Sequence, residues 1–393
     1  MNPIDQLRAA RPAHLDTPVD ERTRAAELSR AMSQARPQAR PQAMSRGQAR
    51  DRRRTVRPVW GLGLAGVAAT AAVAVAVTAT GGTTPTPRAP SAAAVTQSGQ
   101  PAVRLSAKQL LLVAAESSLK APAASGDYWY VEGVAGTAEQ VGTAERYLVH
   151  STTRTRLWVA RSPKVESWFV NQHLGSKPAP GAEDAWKRDG SPTEWEVSMD
   201  KPSAAGEKAM SLTLDSKGGK PFGNPINVGD KVFELAGRNV SVAQLQALPA
   251  DDAALRRYLL AGYEGHGTES DEKQDADSWL FQVTSGLLSE MPVKPAVRAA
   301  AYRVLAGIPG VRSLGEVTDV LGRKAQGIAR TETGRTGRYE RQLLVDPETG
   351  VLQTDQIVAV EPTGPNAWAK PGTITWWSAT TTATWTDDKP VKP

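Results

Sequence analysis

The sequence predicts an α+β fold, an antiparallel sheet with helices on one face, preceded by one transmembrane helix and a disordered N-terminal tail. Three observations predict it. Basic charge is confined to the N-terminus, a single uncharged apolar segment follows, and beyond it short β-patterned runs enclose a block of amphipathic helical runs. The order strands, helices, strands fits one α+β domain whose sheet is built from both ends of the segment; two separate domains are the alternative.

The tail spans 1–58. Residues 1–59 hold 13 Arg and no Lys against 6 acids, a net +7, whereas the remaining 34 basic and 35 acidic residues leave the rest of the 393-residue chain at −1. A folded part near neutrality has no electrostatic footprint for a polyanion, so no nucleic-acid partner is expected. Ile4 and Leu7, followed by Arg8, and then Ala25, Leu28 and Met32 form two brief amphipathic runs. They read either as a docking peptide for a cytoplasmic partner, with Ile4, Leu7 and Arg8 as contacts, or as a solvated tail, since helices this short are marginal in water. An imperfectly doubled Ala-Arg-Pro-Gln (35–38 and 39–42) reads as extended and disordered.

The transmembrane helix is assigned to 59–79. Trp60–Ala79 carries no charge, and 20 helical residues reach about 30 Å, the thickness of a bilayer core. Arg46, Arg50, Arg52, Arg53, Arg54 and Arg57 crowd its N-terminal side, and the other side is neutral until Arg88. That asymmetry predicts a cytoplasmic N-terminus and an outer C-terminal domain, with Arg52, Arg53, Arg54, Arg57 and Trp60 setting the topology. Ala74-Val75-Ala76 offers the small-residue spacing of a cleaved export signal, but the preceding 59 residues are far longer than an ordinary signal n-region. The Pro/Thr/Ser/Gly-rich stretch 80–104 reads as a linker.

The outer domain is placed at 105–388. Ser106 with Gln109 three residues on forms a capping box before a helix. Strands are expected at 128–134, 146–153, 155–161, 164–170, 193–199 and 210–214. Helical signals follow: Ser241 with Gln244, Asp251 or Asp252 before a short helix, 275–291, and an apolar stripe of Val297, Ala301, Val304, Leu305 and Ile308 expected to pack on the sheet, stopped by Pro309-Gly310. Strands return at 311–317, 326–332, 339–346, 351–360 and 373–385, with Asp346–Gly350 turning a hairpin.

These motifs carry a resemblance. Leu-Arg-Ala-Ala-Arg-Pro near the N-terminus, the Arg-flanked span, Tyr-Trp-Tyr-Val-Glu-Gly at 128–133, the run 248–259, the run 292–312 and Leu-Val-Asp-Pro-Glu-Thr-Gly at 344–350 resemble an actinobacterial family of uncharacterised single-pass membrane proteins, many encoded beside extracytoplasmic-function sigma factors. The outer region is also loosely similar to the lipoprotein-carrier-like fold, which implies an open half-barrel with helices in its concavity. The resemblance implies a possible cytoplasmic sigma-factor partner.

Catalytic signals are sparse. The chain has no cysteine, which removes disulfides, thiol nucleophiles and Cys-ligated metals. His150 and His173 read as sheet-face or loop residues. His266 precedes Glu269, Asp271, Glu272, Asp275 and Asp277, a solvated acidic loop or a hard-cation site whose spacing matches no ligand template. No phosphate loop, nucleophile elbow or zinc-helix motif occurs. No catalytic residue, metal or cofactor is therefore expected. Ten of the 11 tryptophans fall in the outer region, where they either fill the core or line a contact surface. Adjacent Trp376 and Trp377 on one strand must point to opposite faces, and the one facing away from the helices is a candidate contact residue. The expected function is that of a non-enzymatic envelope sensor or signal-transmitting module, the alternative being a membrane-tethered binder of a lipophilic or cell-wall ligand.

Overall fold

The computed structural model describes residues 105–122, 125–143, 145–198, 211–226, 229–268 and 272–393. The tail, span and linker lie outside them, as do Ile4, Leu7, Arg8, Arg52, Arg53, Arg54, Arg57 and Trp60. Among the described residues no helix is long and apolar enough to cross a membrane.

The first described element is helix α1 (Ala107–Leu119), whose capping box forms as the sequence requires. Strands β1 (Tyr128–Val141), β2 (Tyr147–Ala160) and β3 (Trp168–Pro178) follow as a meander. Then come α2 (Glu183–Arg188), the hairpin β4 (Glu194–Ser198) and β5 (Ser211–Asp215), and the short strands β6 (Phe222–Pro225), β7 (Phe233–Leu235) and β8 (Arg238–Val240). The helical block is α3 (Val242–Gln246), α4 (Asp252–Leu260), α5 (Ala276–Glu290) and α6 (Pro295–Ala306), with Ser241, Asp251 and Asp275 as side-chain caps. Strands β9 (Arg312–Thr318), β10 (Lys324–Gly334), β11 (Gly337–Asp346), β12 (Val351–Pro362) and β13 (Ile374–Thr386) complete the chain.

Nine strands form one antiparallel sheet in the order β6-β3-β2-β1-β13-β12-β11-β10-β9. The pairing of β1 with β13 joins the early meander to the late one, so the two halves share a sheet instead of forming two domains. Trp129, Val131, Leu157, Val159 and Phe169 on one side, and Ile328, Leu343, Val345 and Leu352 on the other, merge with the helices in one apolar cluster. Registered partners Trp129↔Val159 and Val131↔Leu157 share a face of the pleat, which is therefore the helix face.

Several sequence expectations are corrected. The stretches 146–153 and 155–161 are a single strand, because pairing with β1 runs unbroken from Tyr147 to Ala160 through exposed Arg154. The strand expected at 164–170 starts at Trp168 and runs on to Pro178, since Ser162–Val165 closes a turn containing Pro163. Helix α6 packs mainly on α1, α4 and α5 and less on the sheet than expected, while α5 touches β12 and β13. It is accordingly buried on more than its expected stripe, with Ala299, Ala300 and Tyr302 at 0% exposure beside Leu305.

Candidate functional site

The helix face of the sheet carries two separate covers. Along β1 the odd-numbered residues from Trp129 to Val141 occupy this face. Trp129 and Val131 lie under the helical layer, and the Trp129 indole donates to the Glu290 carbonyl at 2.7 Å. At the far end Val141, Tyr147 and Val149 join Trp195 and Leu214 of the β4–β5 hairpin in a second, small cluster, with Trp186 of α2 against it. Trp195 Nε1 donates to the Tyr147 hydroxyl at 2.8 Å, and that hydroxyl donates to Asp189 at 3.0 Å, which pins the hairpin in place.

Between the covers the face is partly exposed. Gly133, Ala135 and Thr137 of β1 stand opposite Thr155, Thr153 and Ser151 of β2, and Ser378 and Trp376 of β13 stand opposite Ala135 and Thr137. Ile357 of β12 continues the row from Trp376, and all these residues are intermediate in burial. The result is a trough floored by small and hydroxyl side chains with an indole on it. From Val131 to Glu139 it runs about 27 Å at ~3.4 Å per strand residue.

Charged groups flank both ends. On the helix side Arg341 Nη2 meets Asp355 Oδ2 at 2.6 Å, and Ser285 of α5 donates to the same carboxylate at 3.1 Å. Glu332 accepts from the Tyr339 hydroxyl at 3.2 Å and lies 3.5 Å from Arg330. Burial holds Glu332 above the usual carboxylate range, with Arg341 and Arg330 opposing it. Glu290 is pushed up to about 7, by burial first and then by the charge of Asp355. On the hairpin side Glu139, opposite Val149, is only 1% exposed. Its Oε1 has no hydrogen-bond partner, and burial raises the carboxyl to about 7.

The two candidate contact tryptophans separate as adjacent strand residues must, with an unexpected outcome. Trp377 points away from the helices but is only 3% exposed: it lies over Gly136, where an added Cβ would meet the indole at 2.0 Å, and its ring is 4.8 Å from that of His150. The face opposite the helices is thus already packed at Trp377. Trp376, on the helix face, is the partly exposed member and stands in the trough. His150 is held down at about 4 by burial and its Nε2 has no partner. His173 Nε2 is 3.4 Å from the Asp215 carbonyl. His266 contacts the Gly267 carbonyl at 2.8 Å and Glu264 at 3.8 Å, while Glu269 and Asp271 lie outside the described residues and Asp275 caps α5. Among the described residues no cluster of three or more His, Asp or Glu is arranged to hold a metal.

The sequence reading missed Glu139 and the trough. Its signal was nonetheless present: a charge stands in the apolar phase of Trp129, Val131 and Val141. Comparison with known proteins finds no matching family model, no matching curated protein and no matching solved structure.

Proposed function

We propose that the protein is a single-pass envelope protein, N-terminus inside, whose outer domain is a non-enzymatic binding module taking a cell-wall glycan in the trough. The observation that carries this reading is the partly exposed strip of small and hydroxyl residues on the helix face, with Trp376 on its floor. An indole gives a flat stacking surface and hydroxyls give adaptable hydrogen bonds, the pairing that a polyhydroxylated ligand needs. The uncharged 20-residue segment behind an Arg cluster supports the tether.

The half-barrel form, and with it the likeness to lipoprotein carriers, belongs to the same proposal. Arg323, in the β9–β10 turn, donates to the carbonyls of Gln353 on β12 and Thr380 on β13. In a flat sheet β13 would stand roughly 14 Å from β10, so this reach supports a strongly curled sheet.

A second reading makes the module a sensor, transmitting occupancy to a cytoplasmic partner such as a sigma factor. The amphipathic run with Ile4, Leu7 and Arg8 favours it. Deleting 2–45 while keeping the Arg cluster and the span separates the two, because a tethered binder tolerates the loss and a transmitter does not.

The binding claim is tested by retention of the full chain on isolated cell-wall material and on lipid vesicles. Trp376→Ala is expected to lower wall affinity by about tenfold or more with unchanged thermal stability. Equal retention of the variant, or preference for the vesicles, contradicts a glycan trough.

A further inference from the structure

Helix α1 carries large apolar residues on its outer side as well as its inner one. Its inner side, Leu110, Leu111, Ala114 and Ala115, is fully buried, and a single amphipathic helix at a domain surface should then present polar residues outward. Beside exposed Lys108, Gln109 and Glu116, however, Leu112 and Val113 are 39% and 41% exposed, and Leu105 and Leu119 are 36% and 44% exposed. Leu112 and Leu119 are seven apart and line one side of the helix, and Leu105 immediately precedes its N-cap. Four of the nine large hydrophobic residues exposed among the described residues therefore sit on or immediately before this one element.

We infer that this stripe of α1 docks on the outer surface of the bilayer to which the chain is tethered. The inference rests on the tether reading given above. Two features select lipid over other occupants. The first is position: only residues 80–104 separate the apolar segment from the helix, and a Gly/Pro/Thr-rich linker of that length has a typical span of roughly 25–30 Å, so the bilayer is always within reach. The second is charge: Lys108 and Lys120 are exposed at either end of the stripe, while Glu116 is engaged by Arg303 at 3.2 Å. Apolar side chains flanked by lysines suit the headgroup boundary, where the amines meet phosphate. A second copy of the chain is a poorer occupant, because the stripe offers on the order of 300 Å², well below the roughly 800 Å² per partner of a stable protein interface.

The absence of cysteine makes the test direct. Full chain carrying Leu112→Cys, or separately Val113→Cys, is labelled with an environment-sensitive fluorophore and reconstituted in vesicles of phosphatidylcholine and phosphatidylglycerol containing nitroxide lipid. A label at exposed Thr384→Cys is the reference. The expected result is several-fold stronger quenching at 112 and 113 than at 384, reduced when Lys108 and Lys120 are replaced by Gln. Chain that floats with the vesicles but quenches equally at all three sites overturns the docking alone. Chain that does not float overturns the tether and the docking together. Self-quenching between labelled chains that persists in detergent assigns the stripe to a second copy and also overturns it.

Discussion

Among the described residues the helical layer and the sheet beneath it share one apolar cluster of 41 buried residues, whereas the β4–β5 hairpin shares one of five. The two covers also treat buried charge differently. On the helix side Asp355 is held by Arg341 and Ser285, and Glu332 by Tyr339 and Arg330. On the hairpin side the buried Oε1 of Glu139 has no hydrogen-bonding partner. A buried carboxyl under a small cover makes that cover's stability depend on whether the carboxyl is charged; the helical layer also holds a raised carboxyl, Glu290, but within a far larger apolar cluster, where the same penalty is a smaller share of what holds it. The trough is therefore expected to lie between a stiff wall and one that opens more readily once Glu139 is charged.

The strongest way to break the contrast is to unpair the stiff side. Asp355→Ala leaves Arg341 buried without its partner, and chemical denaturation is expected to register a loss of about 3–5 kcal/mol. Leu305→Ala removes a side chain at 0% exposure from the middle of the helical layer. It is expected to cost about 2–5 kcal/mol in the same measurement.

The hairpin side is sharpened through pH. Because the folded carboxyl of Glu139 is raised above its unfolded value of 4.5 to about 7, the native state binds more protons than the unfolded state between those values. Stability from this group is thus unaffected below about pH 4.5, falls as pH rises, and is fully reduced above about pH 7, by up to about 3 kcal/mol. Glu290 shifts in the same direction, and His150, depressed to about 4, pulls the other way as pH falls below 6.5. The difference between wild type and Glu139→Gln isolates the one group. The variant is expected to be the more stable protein at pH 8 and equal to wild type at pH 4. The smallest effect is reserved for His266→Ala, whose side chain is 39% exposed in a loop; melting temperature is expected to move by no more than about 0.5 kcal/mol would produce.

Much of this architecture was legible from residue pattern. The capping boxes at Ser106 and Ser241, the helix from Asp275 and the Asp346–Gly350 hairpin turn all rest on local rules that the tertiary structure does not override. The short elements were not legible. Strand β6 contains Gly223 and Pro225, and β7 and β8 have three residues each, too few to show a period. The trough escaped for a different reason: small polar residues such as Thr137, Thr153 and Ser378 read as ordinary strand positions until register sets them side by side. That adjacent Trp376 and Trp377 face opposite ways followed from the pleat alone. Which of them is covered did not, because Gly136 admits Trp377 from a strand some 240 residues away in sequence, an order of separation local pattern cannot report.

Hydrogen exchange on the two walls tests the contrast most directly. After correction for intrinsic rates, amides of 211–215 are expected to gain an additional opening in wild type at pH 8 that is absent at pH 4.5, while those of 279–288 and 297–305 stay at the protection of the whole domain. Glu139→Gln is expected to remove the pH 8 opening. If the hairpin and the helical layer instead exchange together at both pH values, or if the Glu139→Gln variant opens as wild type does, the two-walled account is wrong.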